Sequence, residues 1–184
     1  MKKYITVMIF LLGILSAQEM RIGFGGGFNI PMGDLSDAAG FGFKFGGDFG
    51  YKFIPQLGIL GLIDYNIFTE KTISVPVYDT VIDLKSSYNN FSLGGMLTVY
   101  PPLQNPNLSI YFGGGLGFNM QTQTVKFPFL GNSESASVTD LGLVLGGGFI
   151  IKNNFELSFL YNHIFWDVGS GQYLSFGFKY LLKI

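Results

Sequence analysis

The chain has 184 residues, a formal net charge of −1 and no cysteine. Charged residues make up 12% of it, aromatic residues 17%, and 27 residues are glycine, whereas an ordinary soluble domain carries about 25% charged residues. The small net charge argues against a nucleic-acid-binding protein. The lack of cysteine excludes disulfides, thiolate catalysis and cysteine-ligated metals. The composition is too apolar for a soluble surface and too rich in glycine for packed helices.

The N-terminal segment, MKKYITVMIFLLGILSAQEM, has the features of a secretory signal peptide. Two lysines precede an apolar run from Tyr4 to Leu15, and small residues follow it up to Ala17. The run is shorter than the roughly 20 apolar residues that a spanning helix needs. We therefore predict cleavage after Ala17, which divides the chain into a signal peptide, residues 1–17, and one domain, residues 18–184.

No later segment of the sequence predicts a membrane-spanning helix, so a mature chain in a membrane would have to form a closed β-barrel. Apolar residues alternate with glycine or polar residues in eight segments, most clearly in FGFKFGGDFGYKF (41–53). Such alternation is typical of strands, and strands of roughly 10–13 residues suit a tilted membrane crossing. The eight predicted strands contain residues 22–30, 41–53, 57–67, 91–99, 110–118, 141–151, 155–161 and 174–182.

The predicted connections alternate between short turns and longer loops. Residues 54–56, 101–107 and 152–154 form short connections, whereas residues 69–87 and 121–137 are predicted to be long loops. Short turns at one rim and long loops at the other are typical of outer-membrane barrels, in which an even number of strands returns both termini to the periplasmic rim.

The contents of the two strand faces indicate which face is outside. Within the predicted strands, every charged residue lies on the face opposite the aromatic residues, and glycine fills most of that face. The interior of an eight-stranded barrel is just wide enough for side chains to fill, so about thirty large apolar side chains cannot fit there. We predict that the aromatic face contacts lipid. The nine charged residues are Arg21, Lys44, Asp48, Lys52, Asp64, Asp140, Glu156, Lys179 and Lys183.

Aromatic residues also cluster near the predicted strand ends, where they suggest girdles at the two membrane interfaces. The predicted fold is thus all-β, an eight-stranded antiparallel up-and-down transmembrane β-barrel. The girdle near the short turns contains Phe49, Tyr51, Phe53, Tyr100, Phe155 and Tyr180, and the girdle near the long loops contains Phe68, Tyr88, Phe165, Trp166 and Tyr173.

Three segments resemble the small outer-membrane barrels of the OmpA/OmpX type: RIGFGGGFNIPMGDL (21–35), LSIYFGGGLGFN (108–119) and LSFGFKYLL (174–182). The resemblance implies an integral protein of the bacterial outer membrane with both termini in the periplasm. It also implies contact with outer-membrane lipid and lipopolysaccharide, and recognition of the C-terminal strand by the barrel-assembly machinery. Neither a cofactor nor a nucleic acid is implied.

The sequence contains little that could catalyse a reaction. His163 is the single histidine, and its place near the long-loop rim invites comparison with outer-membrane lipid A deacylases. In those enzymes a serine follows the histidine at two residues, but here that position is Phe165, so a nucleophile is missing. The glycine runs lack the helix and the lysine of a phosphate-binding loop.

The predicted loops carry more carboxylates than lysines, which suggests either a solvated acidic rim or a site for divalent cations that bridge lipopolysaccharide phosphates. The carboxylates are Asp34, Asp37, Glu70, Asp79, Asp83, Glu134 and Asp167, and the lysines are Lys71, Lys85 and Lys126. No catalytic, cofactor or metal site is predicted.

Six of the inward charges are predicted to meet inside the barrel, because an unpaired buried charge is costly. This ion-pair cluster would occlude the lumen, with Lys44 or Lys179 within reach of at least one carboxylate. Its members are Arg21, Lys44, Asp48, Asp64, Glu156 and Lys179. The sequence thus favours a non-enzymatic barrel with a structural or surface-interaction role. A small pore or carrier for hydrophobic compounds is the alternative, and a lipid-modifying enzyme is the least favoured.

Overall fold

The computed structural model describes residues 19–77, 80–127, 132–166 and 169–184. Within these residues the chain forms eight antiparallel strands, in which each strand pairs with its neighbours in sequence and β1 also pairs with β8. The ring is therefore a closed up-and-down barrel, as predicted. The strands are β1 (Glu19–Met32), β2 (Gly42–Ile54), β3 (Leu57–Val77), β4 (Thr80–Val99), β5 (Leu108–Phe127), β6 (Asn132–Ile151), β7 (Phe155–Phe165) and β8 (Ser170–Lys183), and one helix, α1 (Gly33–Ala38), follows β1.

The aromatic face lies outside and the charged face inside. Phe24, Phe45 and Phe118 are 53%, 60% and 63% exposed, whereas Lys44 and Lys179 are 2% and 1% exposed. A soluble barrel would show the reverse arrangement. The face assignment is thus confirmed, and the barrel carries a continuous apolar belt that suits contact with hydrocarbon.

The predicted lengths of the central strands were wrong. Residues 69–77 and 80–87 extend β3 and β4, and residues 121–127 and 132–137 extend β5 and β6, although both regions were predicted to be loops. The β5 and β6 extensions are mostly polar on both faces, so the alternation that indicates a half-buried strand is missing there. The β3 and β4 extensions do alternate over short stretches, with Ile73 and Val75 on β3 opposite Leu84 and Ile82 on β4. Pairing is supported instead by backbone ladders and by polar contacts across β5 and β6 at Thr122–Ser137 (2.9 Å) and Thr124–Ser135 (2.8 Å).

These extensions form a four-stranded projecting sheet above one rim of the barrel, made of residues 69–77, 80–90, 120–127 and 132–141. Among the described residues, the ladder of β2 with β3 ends at Phe68, the backbone of Thr69 still bonds to Gly40 and Phe41, and β7 pairs with β6 only from Gly142. Beyond these positions, both outer strands of the projecting sheet have one backbone edge without a ladder partner among the described residues.

Several aromatic residues that were predicted to form girdles lie inside the barrel instead. Phe49, Phe53, Phe155, Tyr180 and Phe165 are well exposed, as predicted. Tyr100, directly after β4, continues the inward parity of that strand and projects into the lumen, whereas Tyr51 is buried on the outer face, where it packs against Phe53. At the other rim the prediction was wrong for Phe68, Tyr88, Tyr173 and Trp166, which pack together inside.

Candidate functional site

The lumen brings the six predicted charged residues together in three ion pairs. Arg21 Nη2 lies 3.2 Å from Glu156 Oε2, Lys44 Nζ lies 3.6 Å from Asp64 Oδ2, and Lys179 Nζ donates a 2.6 Å hydrogen bond to Asp48 Oδ2. All six residues are buried. Paired in this way, the charges avoid the large cost of isolated burial.

Glycines on β1 allow the Lys179–Asp48 pair to form across that strand. In the ladders, Gly23 faces Asp48 on β2 and Gly25 faces Lys179 on β8. A Cβ atom on Gly23 would lie 2.7 Å from Asp48 Oδ1, and one on Gly25 would lie 2.7 Å from the Cα of Lys179. Both distances are too short for a side chain, so the inner face of β1 must stay bare for the pair to meet.

Two tyrosines support the end of the cluster that lies nearer the short turns. Tyr111 donates a 2.9 Å hydrogen bond to Glu156 Oε1, and the Arg21 guanidinium lies 5.5 Å from the centre of the Tyr111 ring. The same guanidinium lies 5.9 Å from the ring of Tyr100. These contacts are within the range of cation–π interactions, so Arg21 is held by a carboxylate and two aromatic faces.

Aliphatic side chains pack around the charges, and the sequence reasoning missed them. They share the inward parity of their strands, which is the signal that could have identified them. Their burial leaves little free volume, since a cavity beside Asp64 measures only about 30 Å³, enough for a water molecule. The buried aliphatic residues of this cluster include Leu60, Leu62, Met96, Val144, Ile150, Leu160 and Leu181.

A belt of side-chain amides lies above the charged cluster. Asn29 donates to Asn66 (2.8 Å), and Asn90 donates to Asn119 (3.1 Å) and to the hydroxyl of Tyr173 (3.2 Å). Asn66 also donates to the backbone carbonyl of Asn90 (3.2 Å). These bonds provide partners for buried amides, which would be costly without them, and they link β1, β3, β4, β5 and β8.

An aromatic cluster lies inside the rim that bears the projecting sheet. It consists of Leu35, Ala39, Phe68, Tyr88, Ile164 and Tyr173, with Trp166 packed against it. Leu35 belongs to α1, which is anchored by a 2.9 Å hydrogen bond from the Ser170 amide to Asp34 Oδ2 and by a bond from Lys71 Nζ to the Ser36 carbonyl. The helix therefore acts as a cap over the barrel.

His163 contacts two aromatic side chains of its own strand. His163 Nδ1 lies 3.3 Å from the hydroxyl of Tyr161, and its ring packs edge-on against Phe165, with 4.7 Å between ring centres. Among the described residues, no group of acidic or histidine side chains has the arrangement of a metal site. Asp79 and Asp167, two of the predicted rim carboxylates, lie outside the described residues.

Some charged side chains of the projecting sheet form hydrogen bonds with other side chains of the same sheet. Lys126 donates to Glu70, and its ammonium lowers the pKa of the Glu70 carboxyl through this hydrogen bond and its charge. Asp83 accepts a 2.6 Å hydrogen bond from Ser74. The sheet therefore presents mixed charges.

The closed ring, the apolar outer belt and the filled polar interior define an eight-stranded transmembrane β-barrel. Among the described residues, no helix is long and apolar enough to cross a membrane. The sequence matches the outer membrane protein beta-barrel domain over residues 7–180, and the chain belongs to that family. It is therefore an integral protein of the bacterial outer membrane.

Solved structures of similar fold include Ail, the attachment invasion locus protein of Yersinia pestis. Ail is 19% identical, with a TM-score of 0.58 over 89% of this chain and 98% of Ail. Ail in complex with the heparin analogue sucrose octasulfate is also 19% identical, with a TM-score of 0.53 over 89% and 97%. The N-terminal barrel domain of Pseudomonas aeruginosa OprF is 12% identical, with a TM-score of 0.48 over 90% and 99%. A search among curated proteins found no match.

Proposed function

We propose that this protein is a non-enzymatic outer-membrane barrel with an occluded lumen, whose role is structural or lies in surface interaction through the projecting sheet. The observation that carries the proposal is that three layers fill the lumen in series: the ion-pair cluster with its aliphatic residues, the amide belt, and the aromatic cluster under α1. A filled barrel of this width leaves no water column for ions or nutrients.

In this proposal the short turns and both termini lie in the periplasm after removal of the signal peptide, residues 1–17. The projecting sheet then lies outside the cell, above the lipopolysaccharide. The barrel-assembly machinery recognises the C-terminal strand, and β8 closes the ring by pairing with β1 from Arg21↔Lys183 to Met32↔Gln172. An unpaired sheet edge can accept an added strand from another polypeptide, so the projecting sheet suits contact with surface partners.

Sucrose octasulfate, the heparin analogue bound to Ail, is poorly matched to the described surface of this chain. A heparin-like ligand needs clustered arginine or lysine side chains, but two of the three lysines in the projecting sheet, Lys71 and Lys126, are engaged by Ser36 and Glu70. The surface partner is therefore expected to be recognised by backbone pairing and neutral polar side chains such as those of Thr124 and Ser135.

Conductance measurements in planar bilayers distinguish a closed barrel from a pore. The wild-type protein is expected to insert without discrete conductance steps, because either the ion-pair cluster or the aromatic cluster blocks the lumen. The variant Asp48→Ala/Glu156→Ala removes carboxylates of the ion-pair cluster, and Tyr88→Ala/Tyr173→Ala removes rings of the aromatic cluster. Each double variant alone is expected to stay closed, whereas the quadruple variant, which keeps only the hydrophilic amide belt, is expected to conduct.

The shift in gel mobility between unheated and heated samples serves as the folding control for each variant. Reproducible steps from the folded wild-type protein would overturn the closed-lumen proposal in favour of the pore or carrier. Steps from either double variant would show that the two layers do not close the lumen independently.

A further inference from the structure

A cavity of about 300 Å³ lies between α1 and the inner face of β5 and β6, above the aromatic cluster. We call it the vestibule cavity, and its walls include Leu35, Tyr88, Gln121, Val138, Asp140 and Trp166. Val138 pairs with Gln121 in the ladder and so shares its inward face, yet it is 54% exposed. The cavity therefore opens to solvent. Its volume is at the lower end of the roughly 300–1,000 Å³ typical of small-molecule sites.

A chain of hydrogen bonds fixes Asp140, the one charged residue among the described residues that line the cavity. The indole Nε1 of Trp166 donates to Gln121 Oε1 (2.7 Å), which also accepts from the hydroxyl of Tyr88. Gln121 Nε2 in turn donates to Asp140 Oδ2 (2.6 Å). Among the described residues, the Asp140 carboxylate accepts no other hydrogen bond, so its second oxygen is left to accept one from an occupant.

The lining selects the charge of that occupant. Its described residues combine apolar side chains and an indole with one carboxylate, and none of them is a lysine or an arginine. An anion would meet an uncompensated negative charge, whereas a cation would gain a charge-assisted hydrogen bond from Asp140 and favourable contact with the aromatic rings of Trp166 and Tyr88.

We propose that the vestibule cavity binds small cationic amphiphiles, that is, amines with an aromatic or aliphatic body. The ammonium group contacts Asp140, and the apolar body packs between Val138 and Trp166. This site goes beyond the proposed surface role and does not depend on it, because the cavity lies above the aromatic cluster that closes the lumen.

The single tryptophan of the chain makes the test direct, since Trp166 is in the cavity wall. Purified protein in zwitterionic phospholipid vesicles is titrated with 4-phenylbutylamine, 4-phenylbutanol and 4-phenylbutyrate, and tryptophan fluorescence is recorded. These probes share one apolar body and differ in charge. The amine is expected to bind most tightly and the carboxylate most weakly. Asp140→Asn is expected to weaken amine binding by about tenfold, the size of one lost charge-assisted hydrogen bond, and to leave the alcohol unchanged.

Asp83→Asn is the matched control, because it removes one carboxylate of the projecting sheet outside the cavity. This variant is expected to bind the amine like the wild-type protein. Ala136→Trp is expected to abolish binding of all three probes by filling the cavity, as judged by calorimetry. Equal affinity for the amine and the carboxylate, or an equal loss in Asp83→Asn and Asp140→Asn, would overturn the proposal. Either failure would leave the closed-lumen proposal intact.

Discussion

Replacing Lys179 with methionine is expected to reduce the free energy of unfolding by about 3–5 kcal/mol, the usual cost of leaving one member of a buried ion pair without its partner. Lys179 is 1% exposed and donates to Asp48, which is itself buried. The substitution nearly keeps the length and the apolar stem of the side chain, so the loss of stability reports on the removal of the ammonium charge. Urea unfolding in lipid vesicles, followed by Trp166 fluorescence, measures it.

Lys183→Met is the matched control, since Lys183 lies on the same strand but at its exposed end. This change is expected to alter stability by less than about 1 kcal/mol. Adding Asp48→Leu to Lys179→Met is expected to recover most of the lost stability, because the double variant no longer buries an unpaired carboxylate. A large loss in the double variant, or none in Lys179→Met, would show that the pair does not govern packing of the lumen.

Gly115→Ala is expected to destabilise the barrel by about 3 kcal/mol or more, or to prevent folding, because the new methyl group has no space. A Cβ atom on Gly115 would lie 1.8 Å from the Gly95 carbonyl oxygen and 2.7 Å from the Cα of Met96. Both contacts are with backbone atoms of β4, so only a shift of the strand could relieve them. The yield of the heat-modifiable folded form and the urea midpoint measure the effect.

Gly95→Ala tests the same strand pair without the clash. A Cβ atom on Gly95 would have no heavy atom within 4 Å, because Gly95 lies on the outer face next to the exposed Leu97 and Leu93. Its stability is expected to equal that of the wild-type protein or to rise slightly. Similar behaviour of the two alanine variants would contradict the inward and outward assignment of β4 and β5.

The ring and its faces could be predicted because both depend on alternation within a strand. Side chains alternate between the two faces along each strand, so Phe24 and Phe45 point to one face of the sheet and Lys44 and Asp48 to the other. The contents of the two faces decide which face meets lipid. The same rule identifies Tyr88 and Tyr173 as inward residues. Their positions near strand ends suggest a girdle, but their inward parity is what decides their place.

The pairing inside the lumen could not be predicted from the sequence. Lys44 and Asp48 lie on the same face of one strand, but Lys44 meets Asp64 while Asp48 meets Lys179. Which charges meet depends on the tilt and stagger of the strands and on the bare inner face of β1. The projecting sheet was missed for another reason: its β5 and β6 parts are mostly polar on both faces and carry no alternation signal, and the alternation in its β3 and β4 parts is short.

Labelling of single cysteines on intact cells tests most directly whether this chain is an outer-membrane barrel that presents the projecting sheet to the exterior. The chain has no cysteine of its own, so Ser135→Cys marks the projecting sheet and Gln56→Cys marks a short turn at the opposite rim. A membrane-impermeant maleimide is expected to label Ser135→Cys on intact cells and Gln56→Cys only after lysis. Labelling of Gln56→Cys but not Ser135→Cys on intact cells would contradict this orientation, and labelling of neither on intact cells, with both labelled after lysis, would contradict surface display of the sheet.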